Sequence, residues 1–254
     1  MAAKLGLDLT DGNVIAVPDL HAPYHHKRAW NLMLEVIDYS QPEHVVDLGD
    51  FGDNRPFSRH KKKFGEHVND PQKDMDSVAR EAQRLEQASR GRLTFLLGNH
   101  DAWYTNYIAE FAPQAEKFVK STGEVYKLSK EPLPYQQTFR IGKVGYVHDL
   151  GPYGVNAVRA TLQVAGHNVV FGHAHRGGVA YAGNDRGERH FGMCCGWLGD
   201  RDKITYMTPA ATKDWQLGFG AVAYSDGLAF AHFVPFIEQG RKLSCLYRGK
   251  KFVG

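Results

Sequence analysis

Five short apolar runs, each ending in a cluster of residues able to hold a metal ion, constrain this chain more than any other feature. The runs are Asn13 to Val17 (NVIAV), His44 to Leu48 (HVVDL), Leu93 to Leu97 (LTFLL), Val144 to Val147 (VGYV) and Asn168 to Phe171 (NVVF). At their ends stand Asp19-Leu20-His21, Gly49-Asp50-Phe51-Gly52-Asp53, Gly98-Asn99-His100-Asp101, His148-Asp149 and Gly172-His173-Ala174-His175. Continuous hydrophobicity with β-branched residues predicts central strands covered on both faces. Ligands in open α/β sheets bind beyond the carboxyl ends of the strands, so strands of one direction would bring all five clusters to one site.

Lys27 to Tyr39, ended by Pro42, and Asp70 to Arg90, ended by Gly91, carry apolar residues at helical spacing and complete two βαβ units. Ala102 to Lys120 reads as an aromatic-rich helix interrupted at Pro113. From Gln137 onward short alternating runs with turns at Gly142-Lys143, Gly183 to Gly187, Asp226-Gly227 and Gln239-Gly240 predict antiparallel hairpins. The fold expected is an α/β layered sandwich, α-β-β-α, with two mixed sheets flanked by helices and a dinuclear metal site at the strand C-terminal ends. With no repeat or linker to divide it, residues 1–254 are expected to form one domain.

A formal net charge of +3 is too small to announce a nucleic-acid binder by itself. No apolar run approaches the roughly 18 to 20 residues needed to cross a membrane, so no membrane partner and a cytoplasmic location are expected. Three cysteines, Cys194, Cys195 and Cys245, form neither a CxxC pair nor an even disulfide framework and read as small buried residues.

The convergent inventory contains two aspartates, an asparagine and several of the chain's 13 histidines. Imidazole and carboxylate without thiolate suit Mn, Fe, Ni, Co or Zn, and the ligands outnumber what one four-coordinate ion uses. Two ions sharing a carboxylate would use them all.

These motifs resemble the calcineurin-like metallophosphoesterase superfamily, whose signature runs D-x-H, GD-x-x-D, GNH-[DE], a lone His, and GH-x-H. The resemblance implies that Asp19, His21 and His175 hold one divalent ion, that Asn99, His148 and His173 hold the other, and that Asp50 bridges them. Manganese is the metal expected first. The resemblance further makes His100 the proton donor to the leaving oxygen, with Asp53 accepting from its other nitrogen and Asp101 as the rival partner.

Several features depart from that pattern or leave it open. Asp149 follows His148 where the family has glycine, and Pro18 precedes Asp19 where it has a small residue. Asn54-Arg55 after Asp53, and GNHDAW later, differ from the DRG and GNHE of serine/threonine protein phosphatases. Arg55 and Arg176 follow metal motifs and either grip a substrate phosphate or are solvated. The basic run Arg59 to Lys63 either steers an anionic polymer or is a solvated loop, and Trp103 to Phe111 either stacks bases or fills core, with the core favoured. The remaining histidines, 25, 26, 44, 60, 67, 190 and 232, are assigned no ligand role. The C-terminal stretch resembles calcineurin-like proteins of bacteriophage and prophage genomes. The function expected is phosphodiester hydrolysis in nucleic acid or nucleotides; a phosphomonoesterase and a non-catalytic scaffold are the alternatives.

Overall fold

The two faces of the strand Gly12–Val17 go to different partners, and that division sets the layers. Val14 and Ala16 point into a core shared with Tyr146, Val170, Met193 and Cys195, whereas Ile15 and Val17 point into a second core with Trp30, Met33 and Val78. The computed structural model describes residues 5–62, 70–183, 185–204, 206–240 and 242–254; Lys63 and His67 lie outside them.

Among the described residues there are three sheets. Strands β1 (Gly6–Leu7), β5 (Phe139–Ile141), β6 (Val144–Val147), β7 (Asn168–Phe171), β9 (Arg189–Cys195) and β8 (Gly177–Gly183) form a six-stranded sheet in the order β1-β5-β6-β7-β9-β8. A five-stranded sheet has the order β11-β10-β2-β3-β4, from β2 (Gly12–Val17), β3 (His44–Asp47), β4 (Leu93–Phe95), β10 (Gly218–Ser225) and β11 (Leu228–Pro235). Both sheets are mixed. Strands β2, β3 and β4 run parallel, as do β6, β7 and β9, so each trio ends its strands at one edge.

Helices α1 (Lys27–Ser40) and α2 (Pro71–Ser89) cover the outer face of the five-stranded sheet. Helix α1 buries Ala29, Trp30, Leu32, Met33, Leu34, Val36 and Ile37 as one stripe, and Trp30 donates its indole N–H to Glu81 of α2 at 2.7 Å. Asp70 caps α2 with Pro71 in the first turn, where proline's missing N–H costs nothing. Helix α3 (Asn99–Phe111) follows β4 directly, and α4 (Thr122–Val125) is a single turn. Helix α5 (Ala157–Ala165), not anticipated in the sequence, packs Ala157 against Val147, Val169 and Phe171 on the outer face of the six-stranded sheet. The short α6 (Pro209–Thr212) precedes β10.

The layered α-β-β-α architecture is thus present, with one addition. Strands β12 (Ile237–Gln239), β13 (Lys242–Tyr247) and β14 (Lys250–Val253) make a third sheet whose Leu243, Cys245 and Phe252 join the α1 side of the core. All four hairpin turns fall where the turn residues placed them. The three cysteines are buried and free.

At the start of β3, His44 is held down to about 4 by burial and by the Lys130 and Arg92 charges. The unfolded chain takes a proton there below about 6.5, and the folded chain refuses it until about 4. Stability is therefore present in full above the first value and lost as pH falls toward the second. With its ring still partly open to water, His44 contributes about 1 kcal/mol of acid sensitivity. Thermal melts at neutral pH and near pH 5 should show a smaller loss in His44→Gln than in the parent protein; equal losses would remove this residue from the effect.

Candidate metal centre

The five clusters meet at the edge where β2, β3, β4, β6 and β7 end. Among the described residues, three groups of side chains bring ligand atoms within 4.8 Å of one another: Asp19, His21 and His175; His21, Asp50 and His100; and Asp50, His148 and His173. Asp50 and His21 each belong to two groups, so the three fuse into one centre. Asn99 joins through its Oδ1, 3.0 Å from His148 Nε2. Asp19, His21, Asp50 and His148 are at most 2% exposed.

Backbone geometry aims these side chains. His21, Asp50, His173 and His175 all adopt left-handed φ, between 51° and 59°. For non-glycine residues that conformation costs on the order of 1 kcal/mol or more each, and it gathers at functional sites. The glycines beside them are needed for close approach. A Cβ on Gly98 would stand 2.1 Å from Asp50 Oδ1, and one on Gly172 2.3 Å from Asp19 Oδ2. Helix α3 begins at Asn99, and its amide at His100 donates to Asp50 Oδ1 at 2.8 Å, so a helix N-terminus faces the shared carboxylate.

The imidazoles present the nitrogens a metal needs. His148 Nδ1 donates to the Leu48 carbonyl at 2.9 Å, which leaves Nε2 facing Asp50 Oδ2 at 3.3 Å. His21 Nδ1 meets the Asp53 carboxylate at 3.1 Å, which leaves Nε2 only 3.2 Å from Nε2 of His175. His175 Nε2 in turn lies 3.2 Å from Asp19 Oδ1. Two imidazole nitrogens and a carboxylate pointing at one another fit a cation between them, and orienting partners of this kind fix tautomer and ring direction at metal sites.

Protons hold the charge balance in the chain alone. Burial pushes His148 and His21 down, but carboxylates prevail. His148 rises to about 10, chiefly through Asp50, and His21 to about 9, chiefly through Asp53. Asp50 is held well below the carboxylate range because His148 and His100 outweigh its burial. His175 is lowered to about 4 by burial, which Asp19 does not overcome. Metal ligation needs neutral imidazole nitrogens, so loading such a centre releases protons.

His100 falls within one of the three groups, with His21 and Asp50, and the contact expected with Asp53 takes another form. Its Nδ1 donates to the Asp53 backbone carbonyl at 2.8 Å, while the Asp53 carboxylate is 3.7 Å away and engaged by His21. Nε2 points inward, 4.0 Å from Asp50 Oδ2. The ring lies against that of Trp103, tilted by 30°, with centroids 3.8 Å apart. Asp101, the rival partner, is spent elsewhere: it accepts from the amides of Phe51, Gly52 and Gly98 and from the Tyr126 hydroxyl, tying the β3 and β4 loops together. Burial and the nearby Asp50 raise it to about 6.

A cavity of about 180 Å³ opens over the centre, walled by Trp197, Ile204, Tyr206, Met207 and Trp215. None of these residues was singled out in the sequence. Trp197 follows β9, whose parallel direction could have placed it at this edge, and it stacks on His175 with centroids 5.2 Å apart. Tyr206 donates its hydroxyl to Asp53 Oδ2 at 2.5 Å, and the Arg55 guanidinium stands 4.8 Å over its ring. Arg55 is buried and also binds Ser58 and the Lys61 carbonyl, and Arg176 pairs with Asp214 at 3.6 Å.

The chain Tyr206–Asp53–His21 orients the imidazole of a candidate ligand from outside the candidate set. Tyr206→Phe should weaken metal binding about tenfold in chelator competition, with little change in the melting temperature of the metal-free protein. Unchanged metal affinity would reduce Tyr206 to a wall residue.

No family model matches the chain. It is 24% identical over 246 residues to the Gene 54 protein of Mycobacterium phage L5, which covers 88% of this chain and 93% of that protein. The Gene 54 protein of Mycobacterium phage D29 is 24% identical over 243 residues, with 88% and 93% covered. Among solved structures, Vacuolar Protein Sorting 29 from Cryptosporidium parvum superposes with TM-score 0.48 at 18% identity, covering 96% of each chain. YfcE, a phosphoesterase from E. coli, gives TM-score 0.40 at 16% identity, with 92% of each chain covered.

Proposed function

We propose that this protein is a two-metal phosphoesterase of the calcineurin-like type, acting on phosphodiesters of nucleic acid or nucleotides. One observation carries the reading: the buried Asp50 carboxylate is shared between a group containing His21 and His100 and one containing His148 and His173, and His100 has its Nδ1 committed to the Asp53 carbonyl. In this reading Asp19, His21 and His175 hold one ion, Asn99, His148 and His173 the other, and Asp50 bridges. Two divalent cations so held, manganese first among them, would supply hydroxide near neutral pH and neutralise charge on the phosphoryl oxygens.

The chain's own residues then do the rest. His100, positioned by the Asp53 carbonyl and the Trp103 ring, presents Nε2 for proton transfer to the leaving oxygen. Trp197, Met207 and Trp215 keep bulk water from the reacting groups and offer flat apolar surface to whatever the phosphate carries.

The cavity lining favours a diester over a monoester. It contains no arginine or lysine among the described residues, and Arg55 and Arg176 are engaged with Tyr206 and Asp214. A monoester dianion asks for more positive charge than a diester monoanion, whose second substituent suits an apolar wall. No described helix is long and apolar enough to cross a membrane. Three free buried cysteines suit a reducing compartment, and we place the protein in the cytoplasm.

The test is hydrolysis by manganese-reconstituted protein of bis-p-nitrophenyl phosphate against p-nitrophenyl phosphate. Faster metal-dependent turnover of the diester is expected. Turnover of the monoester alone would overturn the diesterase reading, and bound metal without turnover of either would make the chain a scaffold.

A further inference from the structure

Helix α3 begins at the candidate metal centre and buries little of itself. Of its residues only Asp101 and Ala102 are buried, and Tyr107 and Phe111 are 41% and 63% exposed. Trp103, Tyr107 and Phe111 recur every fourth residue along one stripe, stepping about 6 Å at a time away from His100. The stripe is ordered by ring contacts: Trp103 on His100, Phe57 against Tyr104 and Tyr107, and Tyr107 against Phe111 at 4.9 Å.

A basic run lies beside it. His60 sets its ring against Trp103 at 5.8 Å, and Lys62 donates to the Ser58 carbonyl at 2.7 Å, which fastens the segment next to the helix. Arg59, Lys61 and Lys62 are exposed; α3 itself exposes one carboxylate, Glu110. Aromatic faces in a row flanked by cations match a polymer that alternates flat bases with phosphates, since stacking tolerates any base and the cations follow the backbone. An extended apolar partner would not need the cations, and a duplex hides its base faces.

We propose that the aromatic stripe of α3, with Arg59, Lys61 and Lys62 beside it, is a track for single-stranded nucleic acid leading to the metal centre. The inference rests on the phosphodiesterase reading for what happens at the end of the track, and its test is separate from that reading. Fluorescein-labelled oligodeoxythymidine of about 16 nucleotides is titrated with protein in EDTA, so that binding is read without turnover. Alanine is the best helix former, so the double substitution Tyr107→Ala with Phe111→Ala keeps α3.

That variant should bind at least about tenfold more weakly. It should hydrolyse bis-p-nitrophenyl phosphate at the parent rate with manganese. Lys61→Ser should lower the salt slope of binding by about one. Affinity of the double variant within about twofold of the parent, or equal affinity of the parent for a duplex of the same length, overturns the track. Oligonucleotide binding that obeys these expectations in a protein with no diesterase activity leaves the track standing and removes the proposed function. Diesterase activity with an unaffected double variant does the reverse.

Discussion

Asp50→Asn should abolish turnover by at least about a thousandfold and empty the metal centre of one or both ions. Asp50 is the carboxylate common to two of the three groups, and under the proposed two-metal reading removing its charge would take a shared ligand from both ions at once. Asparagine tolerates the left-handed φ of 51° at this position and occupies the same space, so the backbone is expected to persist. His148 loses the partner that holds it near 10, and its pKa should fall toward the ordinary range. Elemental analysis after dialysis against manganese, alongside bis-p-nitrophenyl phosphate hydrolysis, measures both effects. Full metal content with parental turnover would show that Asp50 bridges nothing.

The second large effect separates chemistry from metal binding. His100→Gln should keep both ions and lose about 10² to 10⁴ in rate on a diester with a poor leaving group. With p-nitrophenolate, which departs without a proton, the loss should be much smaller. The expectation follows from Nε2 facing the centre 4.0 Å from Asp50, while Nδ1 is committed to the Asp53 carbonyl. Equal losses on good and poor leaving groups would assign His100 to positioning rather than proton transfer.

The convergence of the candidate ligand side chains was legible because each is local to a strand end. A run such as NVIAV followed by PDLH carries both the strand and the residue it delivers, and the parallel directions of β2, β3, β4, β6 and β7 do the rest. Contacts between loops far apart in sequence were less legible. Asp53 was expected to reach His100 through its carboxylate, but that group lies between His21 and Tyr206, and the backbone carbonyl takes the role. Tyr206 arrives from 153 residues away on the connection between β9 and β10, and no local pattern announces it.

Burial was misjudged where periodicity is ambiguous. Aromatics at helical spacing in α3 favoured a core position, yet the sheets were already covered by α1 and α2, and Tyr107 and Phe111 were left facing water. Helix α5 escaped notice because its buried positions are Ala157, Thr161 and Leu162, too small and too few to mark a stripe. The third sheet was half visible through its Gln239-Gly240 turn, while the placement of β13 and β14 against α1 depends on a distant core.

Under the proposed function, the left-handed backbone at His21, Asp50, His173 and His175 makes folding and catalysis competing demands on the same four codons. Glycine at any of them would relieve up to about 1 kcal/mol of conformational cost and remove a candidate ligand. In a library of variants sorted for folded yield alone, glycine should therefore rise at these positions first, whereas sorting for turnover should hold the side chains in place. A descendant freed from the need for metal would be expected to drift the same way, and the residues it kept would record which demand had last been enforced.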